Sequence, residues 1–149
     1  MDIAIRALPP SGWTVVVLGL DVTLRTGASP AVQQRMRDLG PLGTELLLPA
    51  LDQYKSEREP SGPPVHDVCA VAWVAAPELF GLVPARVQVE TAGQLTSGMT
   101  VIDFEEPALG GQGVHAEGGN ARVAMSIDVD GFWELTLGTY QRVAQAMGH

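Results

Sequence analysis

The chain has 149 residues, of which 46% are hydrophobic and 17% are charged, a composition typical of one globular domain with a buried core. Its formal net charge is −8 and its nine basic residues are scattered, which argues against a nucleic-acid partner. One cysteine excludes an internal disulfide framework, and no apolar run approaches the roughly 20 residues of a membrane span. We therefore expect a cytoplasmic protein with no membrane partner.

The first third of the chain alternates between apolar runs and residues that break regular structure. Residues 2–8 predict a short helix, which a Pro-Pro pair then ends. Residues 14–20 are a continuous, valine-rich run, which predicts a strand buried on both faces. Asp21 follows this run, at the end of the strand where open α/β sheets place their ligands.

Two helices are predicted next. Ser29 and Pro30 begin the first, because serine caps a helix and proline fits its first turn, and this helix runs to about Leu39. The second covers residues 43–58, where apolar side chains recur at helical spacing and Tyr54 ends the apolar face.

The last part of the chain predicts short strands followed by a long helix. The strands are predicted at residues 85–91, 98–103 and 121–127, with a glycine-rich loop over residues 105–119. An amphipathic helix over residues 128–147 closes the chain.

Three acidic or imidazole positions in this part are predicted to have ordinary structural roles. Asp130 belongs to a short Asp-Val-Asp-Gly motif that lacks the spacing of a calcium loop, so we interpret it as the N-cap of the last helix. His115 and His149 have no neighbour at the spacing of metal ligands and are predicted to be solvated.

A histidine and a carboxylate stand together where a third apolar helix begins. In residues 65–72, Val-His-Asp-Val-Cys-Ala-Val-Ala, His66 and Asp67 precede an almost wholly apolar stretch. Burying polar groups in such a place costs free energy unless they have partners, and a metal ion or a polar substrate would be such a partner. In the alternative interpretation, Asp67 caps the helix and His66 is a loop residue. Cys69 is predicted to be a buried core thiol.

Five segments in order resemble one enzyme family. They are residues 15–23 (Val-Val-Val-Leu-Gly-Leu-Asp-Val-Thr), 29–32, 65–72, 93–101 (Gly-Gln-Leu-Thr-Ser-Gly-Met-Thr-Val) and 120–124. Together they are similar to the C-terminal half of an inosine-uridine-preferring nucleoside hydrolase. One departure is Val68, which stands where the family has proline in its His-Asp-Pro segment.

The resemblance implies a fold for the chain. The family has an open, mostly parallel, Rossmann-like α/β sheet with helices on both faces. By this resemblance, residues 1–149 form a single partial domain, the C-terminal half, with one central strand and a small antiparallel part over residues 85–127. That strand would lose neighbours, which exposes backbone edges and apolar surface.

The resemblance also implies site residues. His66 corresponds to the acid that protonates the leaving base, and Asp67 to a ligand of a calcium ion. Tyr54 lies on the helix whose tyrosines close over the bound nucleoside, although it could equally border the core. Asp21 and Asp103 receive no ligand role and are expected to be capping or turn residues.

The family's other catalytic segments have no counterpart here. An Asp-x-Asp-x-x-x-Asp-Asp cluster supplies the base and most calcium carboxylates in the family, and an Asn- and Glu-containing segment holds the ribose. We therefore expect a hydrolase of purine or pyrimidine ribonucleosides that is catalytically incomplete as it stands. It would work as a homo-oligomer or with the missing N-terminal half as a separate chain. The alternatives are a non-catalytic truncated remnant or interaction module, and a chain that shares only the fold.

Overall fold

A computed structural model describes residues 15–53, 61–104 and 119–148. The chain divides into two compact units. The first unit comprises residues 1–17 and 82–124, and the second comprises residues 18–81 and 125–149. The predicted helix over residues 2–8 lies outside the described residues, as do Tyr54, His115, His149 and all of the predicted glycine-rich loop except Gly119.

A four-stranded sheet has the order β1-β4-β2-β3. Its strands are β1 (Val16–Val17), β2 (Phe80–Val89), β3 (Thr100–Phe104) and β4 (Ala121–Ile127). β1 pairs in parallel with β4, and β2 pairs antiparallel with β3. The sheet therefore confirms an α/β chain with an antiparallel part in the region predicted for it.

The strand predicted over residues 14–20 is shorter and more exposed than expected. β1 has only two residues, both half-buried, and it is one of the two edge strands of this sheet. Valine-rich runs are buried on both faces when strands flank them on both sides. Among the described strands β1 has one neighbour, so the prediction of a doubly buried strand was wrong.

The core of the first unit lies on one face of the paired strands. Ala85 and Val87 of β2 are almost completely buried with Ala121 and Val123 of β4. Because side chains alternate along a strand, residues two apart, such as Ala85 and Val87, share the buried face.

The second unit begins with short helices. They are α1 (Leu20–Thr23), α2 (Pro30–Arg37), a π-helical segment (Leu42–Leu47) and α3 (Leu48–Gln53). The Ser29 hydroxyl accepts a hydrogen bond from Val32 N at 3.3 Å, which confirms the predicted cap of α2. The helix predicted over residues 43–58 begins in the π-helical segment and continues as α3 to Gln53, and residues 54–58 lie outside the described residues. Gly43 lies directly against the Met36 carbonyl.

Two longer helices complete the second unit: α4 (His66–Ala75) and α5 (Val129–Ala146). Asp128, rather than Asp130, caps α5, and its carboxylate accepts from Gly131 N at 3.0 Å. The prediction for Asp130 was therefore wrong by two residues, since Asp130 lies inside the first turn. In the described residues, no helix is both long and apolar enough to cross a membrane.

Candidate functional site

The approach to α4 is fixed by backbone contacts within the second unit. Ala28 N donates to the Pro63 carbonyl at 2.9 Å, and Gly27 forms an isolated β-bridge with Pro64. Gly62 has a φ of +92°, a conformation that favours glycine, and a Cβ there would strike the Ala28 carbonyl. The proline-rich segment is thus tied to the start of α2, and the first residues of α4 have a defined position.

His66 is the first residue of α4 and is half-buried. Its Nδ1 lies 2.8 Å from Oγ1 of Thr23, a residue 43 positions earlier that is 3% exposed. Val65 occupies the N-cap position and makes no side-chain capping hydrogen bond. His66 is therefore a helix residue with a hydroxyl partner, and the alternative of a loop histidine beside a capping Asp67 does not describe this site.

A second threonine extends this contact into the core. Thr26 Oγ1 donates to the Thr23 carbonyl at 2.7 Å and lies 3.5 Å from Cys69 Sγ. Thr26 and Cys69 are both completely buried, which confirms the predicted core thiol. Burial raises the pKa of the Cys69 thiol, so at neutral pH it stays protonated and is a poor nucleophile. This cluster connects the α1–α2 connection to the first turn of α4.

Asp67 lies on the exposed side of α4, in its first turn. It lines a groove of about 360 Å³ between α4 and α5, here named the α4–α5 groove, together with Val71, Leu135 and Tyr140. The groove is mainly apolar, and burial raises the pKa of the Tyr140 hydroxyl above its ordinary value. Asp67 is therefore a carboxylate at the border of an apolar depression.

The same side of α4 exposes large apolar side chains. Val71 is 69% exposed and Val74 is 74% exposed, although α4 buries Cys69 and Ala72 on its other side. Val71 and Val74 are three residues apart and so lie on the same side of the helix. They give α4 an apolar surface next to Asp67.

The predicted calcium ligand accounts for only a small part of a calcium site. Calcium binds about six to eight oxygen atoms, and Asp67 supplies a carboxylate of the required type. Within residues 15–53, 61–104 and 119–148, no group of three or more acidic, histidine or cysteine side chains could hold a metal ion. Asp67 therefore fits the ion as one ligand, and the described residues offer no cluster of further carboxylates beside it.

The two other aspartates that the sequence singled out, Asp21 and Asp103, lie in different elements. Asp21 is exposed but lies inside the first turn of α1, and Gly19 occupies the N-cap position with no side-chain capping hydrogen bond, so the expected capping or turn role of Asp21 was wrong. Asp103 lies within β3, opposite Arg86 in the register, so it is a strand residue and not a turn residue. Neither Thr23 nor Tyr140 could be singled out from the sequence, because long-range contacts leave no local periodicity.

Comparisons with known proteins agree on one family. The chain matches the family described as inosine-uridine preferring nucleoside hydrolase over residues 2–134. It is 36% identical over 135 residues to the inosine-uridine preferring nucleoside hydrolase of Leishmania major, covering 88% of this chain and 40% of that protein. It is 40% identical over 122 residues to the non-specific ribonucleoside hydrolase RihC of Salmonella paratyphi B, covering 82% of this chain and 37% of that protein.

Solved structures show the same relationship. A purine-preferring ribonucleoside hydrolase from Gardnerella vaginalis matches 97% of this chain and 44% of that chain, with a TM-score of 0.75 and 27% identity. A plant nucleoside hydrolase shares the fold, with a TM-score of 0.65 and 20% identity over 94% of this chain and 43% of that chain. The chain spans about 40% of the length of the curated relatives it matches. It belongs to the inosine-uridine preferring nucleoside hydrolase family.

Proposed function

We propose that this chain provides part of the active site of a nucleoside N-ribohydrolase, which hydrolyses purine or pyrimidine ribonucleosides to base and ribose. The observation that carries the proposal is the position of His66, held by Thr23 at the start of α4 and followed by Asp67. The names of the relatives, an inosine-uridine preferring hydrolase and a non-specific ribonucleoside hydrolase, support this substrate class.

In this proposal His66 is the general acid. Cleavage of the N-ribosidic bond builds positive charge on the ribose while negative charge develops on the leaving base. An imidazole exchanges protons near neutral pH, so it can protonate the base as the bond breaks. The helical position of His66 keeps the donor in place before substrate arrives.

Asp67 is proposed as one ligand of a calcium ion. When bound, such an ion holds ribose hydroxyls and lowers the pKa of a water molecule. Tyr54, which lies outside the described residues, is proposed to cover the bound nucleoside. The proposal also places the protein in the cytoplasm.

The rest of the site is proposed to come from further protein, either a second copy of this chain or the N-terminal half of the domain as a separate chain. The matched relatives are about two and a half times as long as the matched region. The exposed valines of α4 lie beside Asp67, where a further part of the domain would cover them.

A second candidate function follows from the same valines. Val71 and Val74 give the chain an apolar surface suited to binding a partner without catalysis. In that case the chain is a non-catalytic interaction module, and His66 has no chemical role.

The test is hydrolysis of inosine and uridine by the purified chain, with and without calcium, alone and mixed with the N-terminal part of the Leishmania major relative. Calcium-dependent turnover that His66→Ala abolishes supports the hydrolase. Absence of turnover in both samples, with circular dichroism showing folded protein, contradicts it and favours the interaction module.

Calcium binding has its own matched control. Asp67 and Asp130 are both exposed and both lie in the first turn of a helix. Titration calorimetry on the active sample should show weaker calcium binding for Asp67→Asn and unchanged binding for Asp130→Asn. Equal calcium affinity in both variants would contradict the ligand role of Asp67.

A further inference from the structure

The hydroxyl of Thr23 and the imidazole of His66 form a hydrogen bond that links two distant parts of the chain. The distance from Oγ1 to Nδ1 is 2.8 Å, and 43 residues separate the two positions. Thr23 is only 3% exposed, so bulk water does not compete for its hydroxyl. A hydrogen bond in such a place restrains a side chain more firmly than an exposed one does.

Both backbone polar groups of Thr23 also form hydrogen bonds. Its amide donates to the Gly19 carbonyl at 3.1 Å, and its own carbonyl accepts from the Thr26 hydroxyl at 2.7 Å. Thr26 is completely buried and also lies against Cys69. The hydroxyl that meets His66 therefore projects from a backbone fixed by the core of the second unit.

We propose that Thr23 is the positioning residue of His66: its hydrogen bond to Nδ1 fixes the orientation of the ring, from which Nε2 transfers the proton to the leaving base. This inference rests on the proposed hydrolase function. A threonine hydroxyl can both accept and donate a hydrogen bond, so it suits the charged and the neutral imidazole alike. An ionised carboxylate in the place of this hydroxyl could only accept a hydrogen bond.

The proton balance of the step is simple. In the charged ring both nitrogens carry hydrogen, and Nδ1–H donates to Thr23 Oγ1. The Nε2–H bond breaks as an N–H bond forms on the departing base, whose nitrogen takes the electron pair of the ribosidic bond. The ring is left neutral with Nδ1–H still bound to Thr23, so the ring need not reorient during the transfer. Water then returns a proton to Nε2.

The choice of substrate separates positioning from general damage to the structure. Inosine needs a proton on its leaving base, whereas 4-nitrophenyl riboside has a leaving group that departs as a stable anion without one. Thr23→Val keeps the shape of the side chain and removes the hydroxyl. We expect it to lower kcat for inosine roughly 10- to 100-fold, with KM nearly unchanged, and to leave the nitrophenyl substrate nearly unaffected.

Two further variants serve as controls. Thr23→Ser keeps the hydroxyl and should restore most of the inosine activity. Thr44→Val makes the same chemical change at an exposed position, where the hydroxyl donates to the Gly40 carbonyl at 3.1 Å, so it should leave both substrates nearly unaffected. Equal losses on both substrates in Thr23→Val, or no rescue by serine, would overturn the inference.

An independent readout needs no activity. In ¹⁵N-labelled chain, the Nδ1 resonance of His66, assigned with His66→Gln, should shift in Thr23→Val, return in Thr23→Ser and stay in place in Thr44→Val. An unchanged resonance in Thr23→Val would overturn the inference whatever the enzyme does. If the resonance responds but His66→Ala hydrolyses inosine normally, then it is the proposed acid role of His66, and with it the hydrolase mechanism, that fails.

Discussion

The side chain of Asn120 holds both backbone polar atoms of Val87. Its Oδ1 accepts from Val87 N at 2.7 Å, and its Nδ2 donates to the Val87 carbonyl at 2.9 Å. Val87 is 1% exposed, so neither backbone atom could easily find water instead. Just before this contact, a Cβ on Gly119 would lie 2.8 Å from the Ala85 carbonyl oxygen. The start of β4 is thus tied closely to β2.

Asn120→Asp is expected to lower the free energy of unfolding by about 1–3 kcal/mol. An ionised aspartate can only accept, so one carboxylate oxygen would face the Val87 carbonyl without a hydrogen between them. Urea denaturation followed by tryptophan fluorescence measures the loss. Gln88→Glu makes the same chemical change at an exposed position of β2 and should cost less than about 0.5 kcal/mol. Similar losses in both variants would contradict this role of Asn120.

Asp128→Ala should destabilise the chain by about 1 kcal/mol, because it removes the capping hydrogen bond to Gly131 N. Asp130→Ala removes a carboxylate that only interacts with the helix dipole and should cost roughly 0.3 kcal/mol. Urea midpoints of the two variants, measured side by side, test the assignment of the cap. The opposite ranking would mean that Asp130 caps α5 in solution.

Two glycine-to-alanine changes should act in opposite directions. A methyl group on Gly43 would overlap the Met36 carbonyl, so Gly43→Ala should destabilise the chain by about 1–3 kcal/mol. Gly138 lies inside α5, where a Cβ would come no closer than 3.8 Å to Arg142, so Gly138→Ala should stabilise by roughly 0.5–1 kcal/mol. Thermal unfolding monitored by circular dichroism gives both signs, and a stabilised Gly43→Ala would disprove the close approach.

The buried thiol of Cys69 should make stability fall at alkaline pH. Burial raises its pKa in the folded chain above the ordinary value of 9.0. The unfolded chain therefore loses this proton first, so the contribution is complete below about pH 9 and is lost as pH rises through the folded pKa. Unfolding free energies from about pH 7 to about pH 11 should decline less steeply in Cys69→Ala than in the wild type. Parallel curves would mean that the thiol titrates normally in the folded chain.

Local signals in the sequence predicted those parts of the fold that depend on neighbouring residues. The cap formed by Ser29 was confirmed because a hydroxyl before a proline acts within one turn. The strand over residues 121–127 was confirmed with both of its bounds. The doubly buried strand failed because burial depends on which strands flank it, and a valine run does not say which neighbours are present.

The reactive groups of the candidate site could be predicted from the sequence, but the residues that hold them in place could not. His66 and Asp67 could be singled out because polar groups at the start of an apolar helix need a reason to be there. Thr23, Thr26 and Tyr140 could not, because each reaches the site through a contact made only after folding. No rule of sequence spacing connects a histidine with a hydroxyl 43 residues away.

The short parallel pairing of β1 sets an order of events during synthesis. Val16 pairs with Arg122, which lies 106 positions further along the chain. At a translation rate of roughly 5–20 residues per second, about 5–20 s pass between the two residues leaving the ribosome's catalytic centre. During that interval the valines of β1 cannot form the pairing they have in the finished protein. A nascent-chain chaperone that covers extended apolar segments would therefore protect the valines of β1 until Arg122 has emerged.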